Sequence, residues 1–96
     1  MGCFEDKSHD RDLPNLMPME DLTPARCRIQ CKDKGFAYSA VQYGYLCHCG
    51  DTYGKHDKIP DEKCSSKCKG DPEQTCGGFW KNAVFTTSTY QGKNVI

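Results

Sequence analysis

The pattern of polar and apolar residues first indicates a helix that begins at Thr23-Pro24. Threonine caps free backbone N–H groups, and proline at the first helical position needs no N–H of its own. Gly35 is a helix-stop signal, and charged or amide side chains occupy most of the intervening positions. The sequence therefore predicts one main helix over residues 24–34.

After this helix the chain changes to aromatic and β-branched residues, which favour strands. The stretch 36–43, the turn residue Gly44 and the stretch 45–50 together predict a hairpin. Residues 2–5 predict an opening strand, and 82–87, where apolar positions alternate, predict a closing strand.

Four cysteines are placed so that the helix and the hairpin can be joined. Cys27 and Cys31 share one helical face because they are four residues apart. Cys47 and Cys49 point to one face of the second hairpin strand because strand side chains alternate. Two adjacent bridges are expected, and the spacing leaves open which helix thiol pairs with which strand thiol.

The remainder of the chain is rich in polar and turn-forming residues. The stretch 51–63 is polar, and Gly70-Asp71-Pro72 and Gly77-Gly78 are typical of turns, so 51–78 is expected to be mostly loop. The domain is assigned to residues 2–88 and a C-terminal tail or linker to 89–96, where Val95 and Ile96 could add an edge contact.

Composition indicates a small domain that needs covalent reinforcement. The chain has 96 residues, of which 36% are hydrophobic, and it contains eight cysteines. An even cysteine number in so short a chain predicts a disulfide framework, hence a secreted or cell-surface location. The alternative is a zinc site, which the Cys47-His48-Cys49 spacing disfavours. We expect no metal and no cofactor.

Charge and hydropathy exclude two classes of partner. Thirteen basic and thirteen acidic residues cancel, so the whole molecule has no field that would attract nucleic acid. No apolar run approaches the length of a membrane span, so direct membrane insertion is not expected.

Several motifs together resemble the WSC domain family, over residues 2 to about 86. The segments that carry the resemblance are Gly2–Asp6, Thr23–Cys31, Tyr43–Gly50 and Gly70–Gly78, with all eight cysteines in register. The resemblance implies an α+β fold, a small antiparallel sheet with a helix across it, similar to the PAN/apple arrangement. It also implies the bridges Cys3–Cys64, Cys27–Cys47, Cys31–Cys49 and Cys68–Cys76.

The resemblance further implies an extracellular carbohydrate-binding module for a wall or matrix polysaccharide such as β-glucan or chitin. The alternative is a protein-interaction or structural module of a receptor ectodomain, since family members also occur there. An enzyme is not expected, because His48 lies between two cysteines that should be bridged and no nucleophile or metalloprotease motif is present.

Sugar binding needs exposed aromatic faces that stack on the C–H groups of a pyranose ring. Two candidates flank the predicted hairpin turn, one follows in a polar loop, and two follow the double glycine. Asp6, Arg11 and Asn82 are interpreted as structural hydrogen-bonding groups. The predicted glycan-binding residues are Tyr43, Tyr45, Tyr53, Phe79 and Trp80.

Overall fold

One helix and an antiparallel sheet make up most of the structure, a computed structural model that describes residues 1–88. The elements in chain order are β1 (Gly2–Glu5), β2 (Asn15–Pro18), α1 (Pro24–Asp33), β3 (Tyr38–Gln42), β4 (Leu46–Gly50), β5 (Lys58–Ile59), the 3-10 helix Asp61–Lys63, β6 (Lys67–Cys68), β7 (Asp71–Thr75) and β8 (Lys81–Thr86). Six strands form one sheet in the order β2-β4-β3-β8-β1-β5, and β6 pairs with β7. The predicted α+β, disulfide-rich fold is confirmed.

The helix begins and ends where the sequence indicates. The Thr23 hydroxyl accepts a hydrogen bond from the backbone N–H of Arg26 at 3.1 Å, which satisfies one of the free donors of the first turn. Gly35 follows the last turn with φ +88°, a conformation that glycine adopts without steric cost. Cys27 and Cys31 are the buried residues of α1, so the charged faces of the helix are left to the solvent.

Four disulfide bridges join these elements, with the pairing that the family resemblance implies. Cys27–Cys47 and Cys31–Cys49 link α1 to β4. Cys3–Cys64 ties β1 to the segment after the 3-10 helix, and Cys68–Cys76 closes the β6–β7 hairpin. Each bridge restricts the unfolded chain and contributes about 2 to 4 kcal/mol, although the contributions are not additive.

The sheet has a buried cluster on each face. The helix side is formed mainly by half-cystines with Leu22 and Val41. The opposite side holds Phe4, Leu13 and the side chains of β3 and β8 that point away from the helix. Among the residues described, 1–88, no helix is both long and apolar enough to cross a bilayer.

The structure corrects two expectations about regular structure. The stretch 51–78 was expected to be mostly loop, but it contains β5, the 3-10 helix, β6 and β7. The strand β2 was not predicted either. These elements lack local signals: β7 has the polar sequence DPEQT, and β2 is an edge strand that carries Pro18 and a largely exposed surface. Their conformation depends on pairing with neighbours. The predicted tail 89–96 lies outside the described residues.

Gly77 allows the segment after Cys76 to lie against the end of β3. It has φ +70°, and a Cβ atom at this position would collide with the carbonyl oxygen of Val41 and lie 2.7 Å from Cα of Gln42. A residue with a side chain would therefore be both strained and too large. This approach positions the following turn beside the β3–β4 turn.

We predict that Gly77→Ala destabilises the domain by at least about 3 kcal/mol, because left-handed backbone and overpacking penalties combine. Gly35→Ala is the matched control: Gly35 has a similar positive φ, but nothing lies within 4 Å of an added Cβ. The control should lose only about 1 to 2 kcal/mol. Equal losses in denaturant unfolding of the two variants would contradict the proposed close approach.

Candidate functional site

Four of the five predicted glycan-binding aromatics lie side by side at one end of the sheet. The ring centroids are 6.2 Å apart for Tyr45 and Tyr43, 5.3 Å for Tyr43 and Phe79, and 5.9 Å for Phe79 and Trp80. We call this set, Tyr45-Tyr43-Phe79-Trp80, the aromatic row. Its neighbouring rings are tilted or edge-on to one another, an arrangement that aromatic pairs favour.

Two adjacent turns bring the aromatic row together. Tyr43 and Tyr45 belong to the turn between β3 and β4, while Phe79 and Trp80 are the central residues of a tight turn closed by backbone hydrogen bonds between Gly78 and Lys81. A hydrogen bond from the Gly44 N–H to the Cys76 carbonyl, at 3.0 Å, joins the first turn to the Cys68–Cys76 segment.

Both turns place an aromatic residue in left-handed backbone conformation. Tyr43 has φ +54° and Trp80 has φ +57°, the two positive-φ residues besides glycine among those described. Each such residue costs about 1 to 2 kcal/mol. The surrounding structure therefore holds these rings in place against a local preference for other conformations.

Exposure differs along the aromatic row. Phe79 is 61% exposed and Tyr43 is 49% exposed, which leaves ring faces available to a ligand. Tyr45 and Trp80, at the two ends, are partly buried. The central two residues therefore offer the largest free aromatic surface.

Tyr53, the fifth predicted residue, lies in a different cluster. Its ring centroid is 4.7 Å from that of Tyr38 and 5.5 Å from that of Phe4. Because Tyr38 begins β3 while Tyr43 follows its end, Tyr53 belongs to the opposite end of the sheet. The structure does not bring it to the aromatic row.

A polar network lies beneath Trp80 and contains Asp6, Arg11 and Asn82, the three residues predicted to be structural hydrogen-bonding groups. The Arg11 guanidinium donates to the Asp6 carboxylate at 2.8 Å and to the Gln42 side-chain oxygen at 3.3 Å. The Gln42 amide in turn donates to Asp6 at 2.9 Å and to Asn82 Oδ1 at 2.8 Å. The Asp6 N–H donates to the Trp80 carbonyl at 2.9 Å, which connects the network to the row.

The network keeps Asp6 ionised although its side chain is buried. Burial alone would raise the pKa of Asp6. Hydrogen bonds from the backbone N–H of Asp12 and from the side chains of Gln42 and Arg11 outweigh that effect, so the pKa is lower than its usual value of 3.8. The negative charge of Asp6 therefore remains available to fix Arg11.

Cationic side chains lie against both ends of the aromatic row. The Arg11 Cζ atom is 4.9 Å from the centroid of Trp80, and the Lys69 Nζ atom is 5.4 Å from the centroid of Tyr45. Both distances are within the range of cation–π attraction. Neither cation was predicted to belong to the site. Arg11 gave a signal only as a hydrogen-bonding group, and Lys69 gave none.

His48 is fully buried on the sheet face opposite α1. Its pKa is lowered from 6.5 to about 4, first because burial penalises the charged ring and second because the Arg11 charge lies nearby. The Asp6 charge offsets part of this effect. His48 is therefore neutral at physiological pH and belongs to the protein interior.

The cysteines offer neither a nucleophile nor metal ligands in the oxidised protein. The sulfur atoms of Cys27, Cys31 and Cys47 lie within 4.8 Å of one another, a spacing that reduced thiolates could use to hold zinc. The Cys27–Cys47 and Cys31–Cys49 bridges occupy all three sulfur atoms. His48 therefore has no neighbouring thiolate to activate.

Comparison with known proteins identifies similarity over most of the chain. The WSC domain family model matches residues 1–78. The chain is 37% identical over 90 residues to Xylosyltransferase oxt of Drosophila melanogaster, 33% over 86 residues to a WSC domain-containing protein of Arthroderma benhamiae, and 31% over 90 residues to Kremen protein 1 of Mus musculus.

These relatives are much longer than the matched segment. The matches cover 91%, 88% and 91% of this chain but only 10%, 12% and 19% of the respective relatives. Nineteen known proteins match this chain significantly. The shared unit is therefore a small module that occurs within larger proteins of different kinds.

We predict that the domain loses stability as the pH falls from 6.5 to 4, because the unfolded chain binds a proton at His48 that the folded domain does not. The loss should be about 1.4 kcal/mol per pH unit, or about 3 kcal/mol across the window. Below pH 3.8 a further loss should follow as Asp6 is protonated, since its folded pKa is the lower one. In His48→Leu the slope between pH 4 and 6.5 should flatten. An unchanged slope in denaturant unfolding would rule out His48 as its source.

Proposed function

The chain belongs to the WSC domain family, and from that premise we propose that it is a non-catalytic extracellular module that binds a wall or matrix polysaccharide through the aromatic row. The observation that carries this proposal is the contiguity of four aromatic side chains at two adjacent turns, with Phe79 and Tyr43 largely exposed. Exposed apolar patches on small domains commonly mark binding sites.

The chemistry of the aromatic row suits a sugar surface. A pyranose ring presents C–H groups on its faces, which pack against the electron-rich face of an aromatic ring. Its hydroxyl groups need polar partners at the edges, and Arg11 and Lys69 offer N–H donors beside Trp80 and Tyr45.

The rigid backbone under the row also supports binding. Tyr43 and Trp80 are held in left-handed conformation by hydrogen-bonded turns. A ligand therefore does not have to order these turns on binding, which reduces the entropic cost of the complex. With only a few stacking contacts, affinity per site should still be weak, with a dissociation constant on the order of 10 μM to 1 mM.

The relatives are consistent with an accessory binding role. Xylosyltransferase oxt is named for an enzymatic activity, but the matched segment is a tenth of that protein. A module of this size, with its cysteines bridged, is better suited to holding an enzyme or receptor near a glycan than to catalysis. A panel of insoluble chitin, β-glucan, xylan and cellulose tests this role directly.

Protein binding is the second candidate. Tyrosine, tryptophan and arginine are the residues most enriched at the energetic centres of protein interfaces, and the row with Arg11 has this composition. The similarity to Kremen protein 1 and the family's occurrence in receptor ectodomains favour the same reading. A protein-binding module should remain in the supernatant with every insoluble polysaccharide of the panel.

We predict that Phe79→Ala lowers affinity for the bound polysaccharide at least about five-fold, because it removes the most exposed ring of the row. Ile29→Ala is the matched control, since Ile29 on α1 is equally exposed at 61%. It should leave binding unchanged. Depletion assays and unfolding curves should be measured together, and both variants are expected to fold normally.

Tyr53→Ala distinguishes the sequence prediction from the structural site. Because Tyr53 packs on Tyr38 and Phe4, its removal should lower stability and leave polysaccharide binding unchanged. If Tyr53→Ala abolishes binding while folded Phe79→Ala retains it, the glycan site lies at the opposite end of the sheet and the row is wrongly assigned.

A further inference from the structure

The charges around the aromatic row are distributed unevenly between the surface and the interior. Arg11 and Lys69 lie at the two ends, and Lys81 donates from Nζ to the Phe79 carbonyl at 3.3 Å near the middle. The carboxylate that pairs with Arg11, that of Asp6, is completely buried, whereas the Arg11 side chain is 25% exposed. A ligand on the row therefore meets the cation and not its acidic partner.

Lys69 is also accessible to a ligand. Its one ion-pair partner among the described residues is Glu20, at 3.7 Å, and both side chains are mostly exposed to solvent. Exposed pairs of this kind are weak and are readily exchanged for another anion. Glu5 lies opposite Lys81 in the β1–β8 register and is half-buried. The acids beside the three cations are therefore buried for Arg11, half-buried for Lys81 and weakly paired for Lys69.

The length of the row restricts the shape of the ligand. Successive ring centroids are 5.3 to 6.2 Å apart, which is close to the length of one sugar residue in an extended chain. Arg11 lies against the ring at one end of the row and Lys69 against the ring at the other end. An extended polymer with repeated negative charges can follow the row and pair with both cations.

On the premise of the proposed function, we infer that the preferred ligand of the aromatic row is an extended acidic polysaccharide whose carboxylate or sulfate groups pair with Arg11, Lys81 and Lys69. The neutral net charge of the chain is compatible with this preference, because short-range pairing depends on the local charges. Stacking on the aromatic rings is available to neutral and acidic sugar chains alike, whereas the cations favour the acidic chains.

The test uses Trp80, the single tryptophan of the chain, as a fluorescent reporter at one end of the row. The probes are a soluble β-1,4-linked glucuronan, cellulose sulfate, neutral cello-oligosaccharides of matched length, and polyglutamate. Glucuronan and cellulose sulfate distinguish carboxylate from sulfate groups, and the cello-oligosaccharides keep the same linkage without charge. Polyglutamate carries carboxylates on a peptide and so represents a protein partner.

At low ionic strength, at least one acidic polysaccharide should bind about five-fold or more tightly than the neutral chain. This advantage should disappear near 1 M salt, where the screening length is about 3 Å. Lys69→Gln and Lys81→Gln should each weaken acidic binding about two- to five-fold. The loss with the neutral chain should be clearly smaller, because a glutamine amide still donates N–H groups to hydroxyls but carries no charge. Lys34→Gln, a lysine beyond the opposite end of β3, should change neither.

Other outcomes would overturn the inference in distinguishable ways. Equal affinity for acidic and neutral chains would refute the charge preference while leaving polysaccharide binding intact. No binding to any saccharide would refute the proposed function itself. Polyglutamate binding as tight as that of the acidic polysaccharides would indicate an acidic protein partner instead. Unchanged acidic binding in both lysine variants would show that the row's cations do not select the ligand.

Discussion

Two disulfide bridges in mutual contact hold the helix against the hairpin, and the other elements are arranged around that contact. The Sγ atoms of Cys31 and Cys47, which belong to different bridges, are 3.9 Å apart in the core. Six of the eight buried residues in the helix-side cluster are half-cystines. A chain in which only 36% of residues are hydrophobic has little apolar area to bury, so covalent bonds supply much of what a larger core would provide.

The candidate binding surface follows from this core through the two turns at its edge. β4 is fixed by both helix bridges, so the β3–β4 turn with Tyr43 and Tyr45 has a defined position. Gly77 and the Cys68–Cys76 bridge then bring Phe79 and Trp80 against that turn. Beneath it, side-chain hydrogen bonds connect Asp6 with Arg11 and Gln42, and Gln42 with Asn82, which restricts the movement of these side chains. The exposed rings thus rest on a stiff support.

Much of this arrangement could be predicted from the sequence because the relevant signals are local. Thr23-Pro24 and Gly35 mark the helix, and the alternation around Cys47 and Cys49 marks a strand. The DPEQT sequence of β7 has no strand character, so its pairing with β6 is visible only in the folded chain. The candidate site was likewise predictable only in its locally encoded part. Turn chemistry identified four aromatic positions, whereas the separation of Tyr53 and the approach of Lys69 to Tyr45 depend on long-range packing.

The pairing of β1 with β8 also determines where adjoining polypeptide would connect to the domain relative to the aromatic row. Gly2 lies opposite Val84 and Glu5 lies opposite Lys81, so the beginning of β1 and the end of β8 share one end of the sheet, while the aromatic row occupies the other. The six residues of β8 separate these ends by about 16 Å. Polypeptide joined before β1 or after β8 would extend from the end of the sheet opposite the aromatic row. Neighbouring domains attached there would leave the exposed rings free to contact a surface.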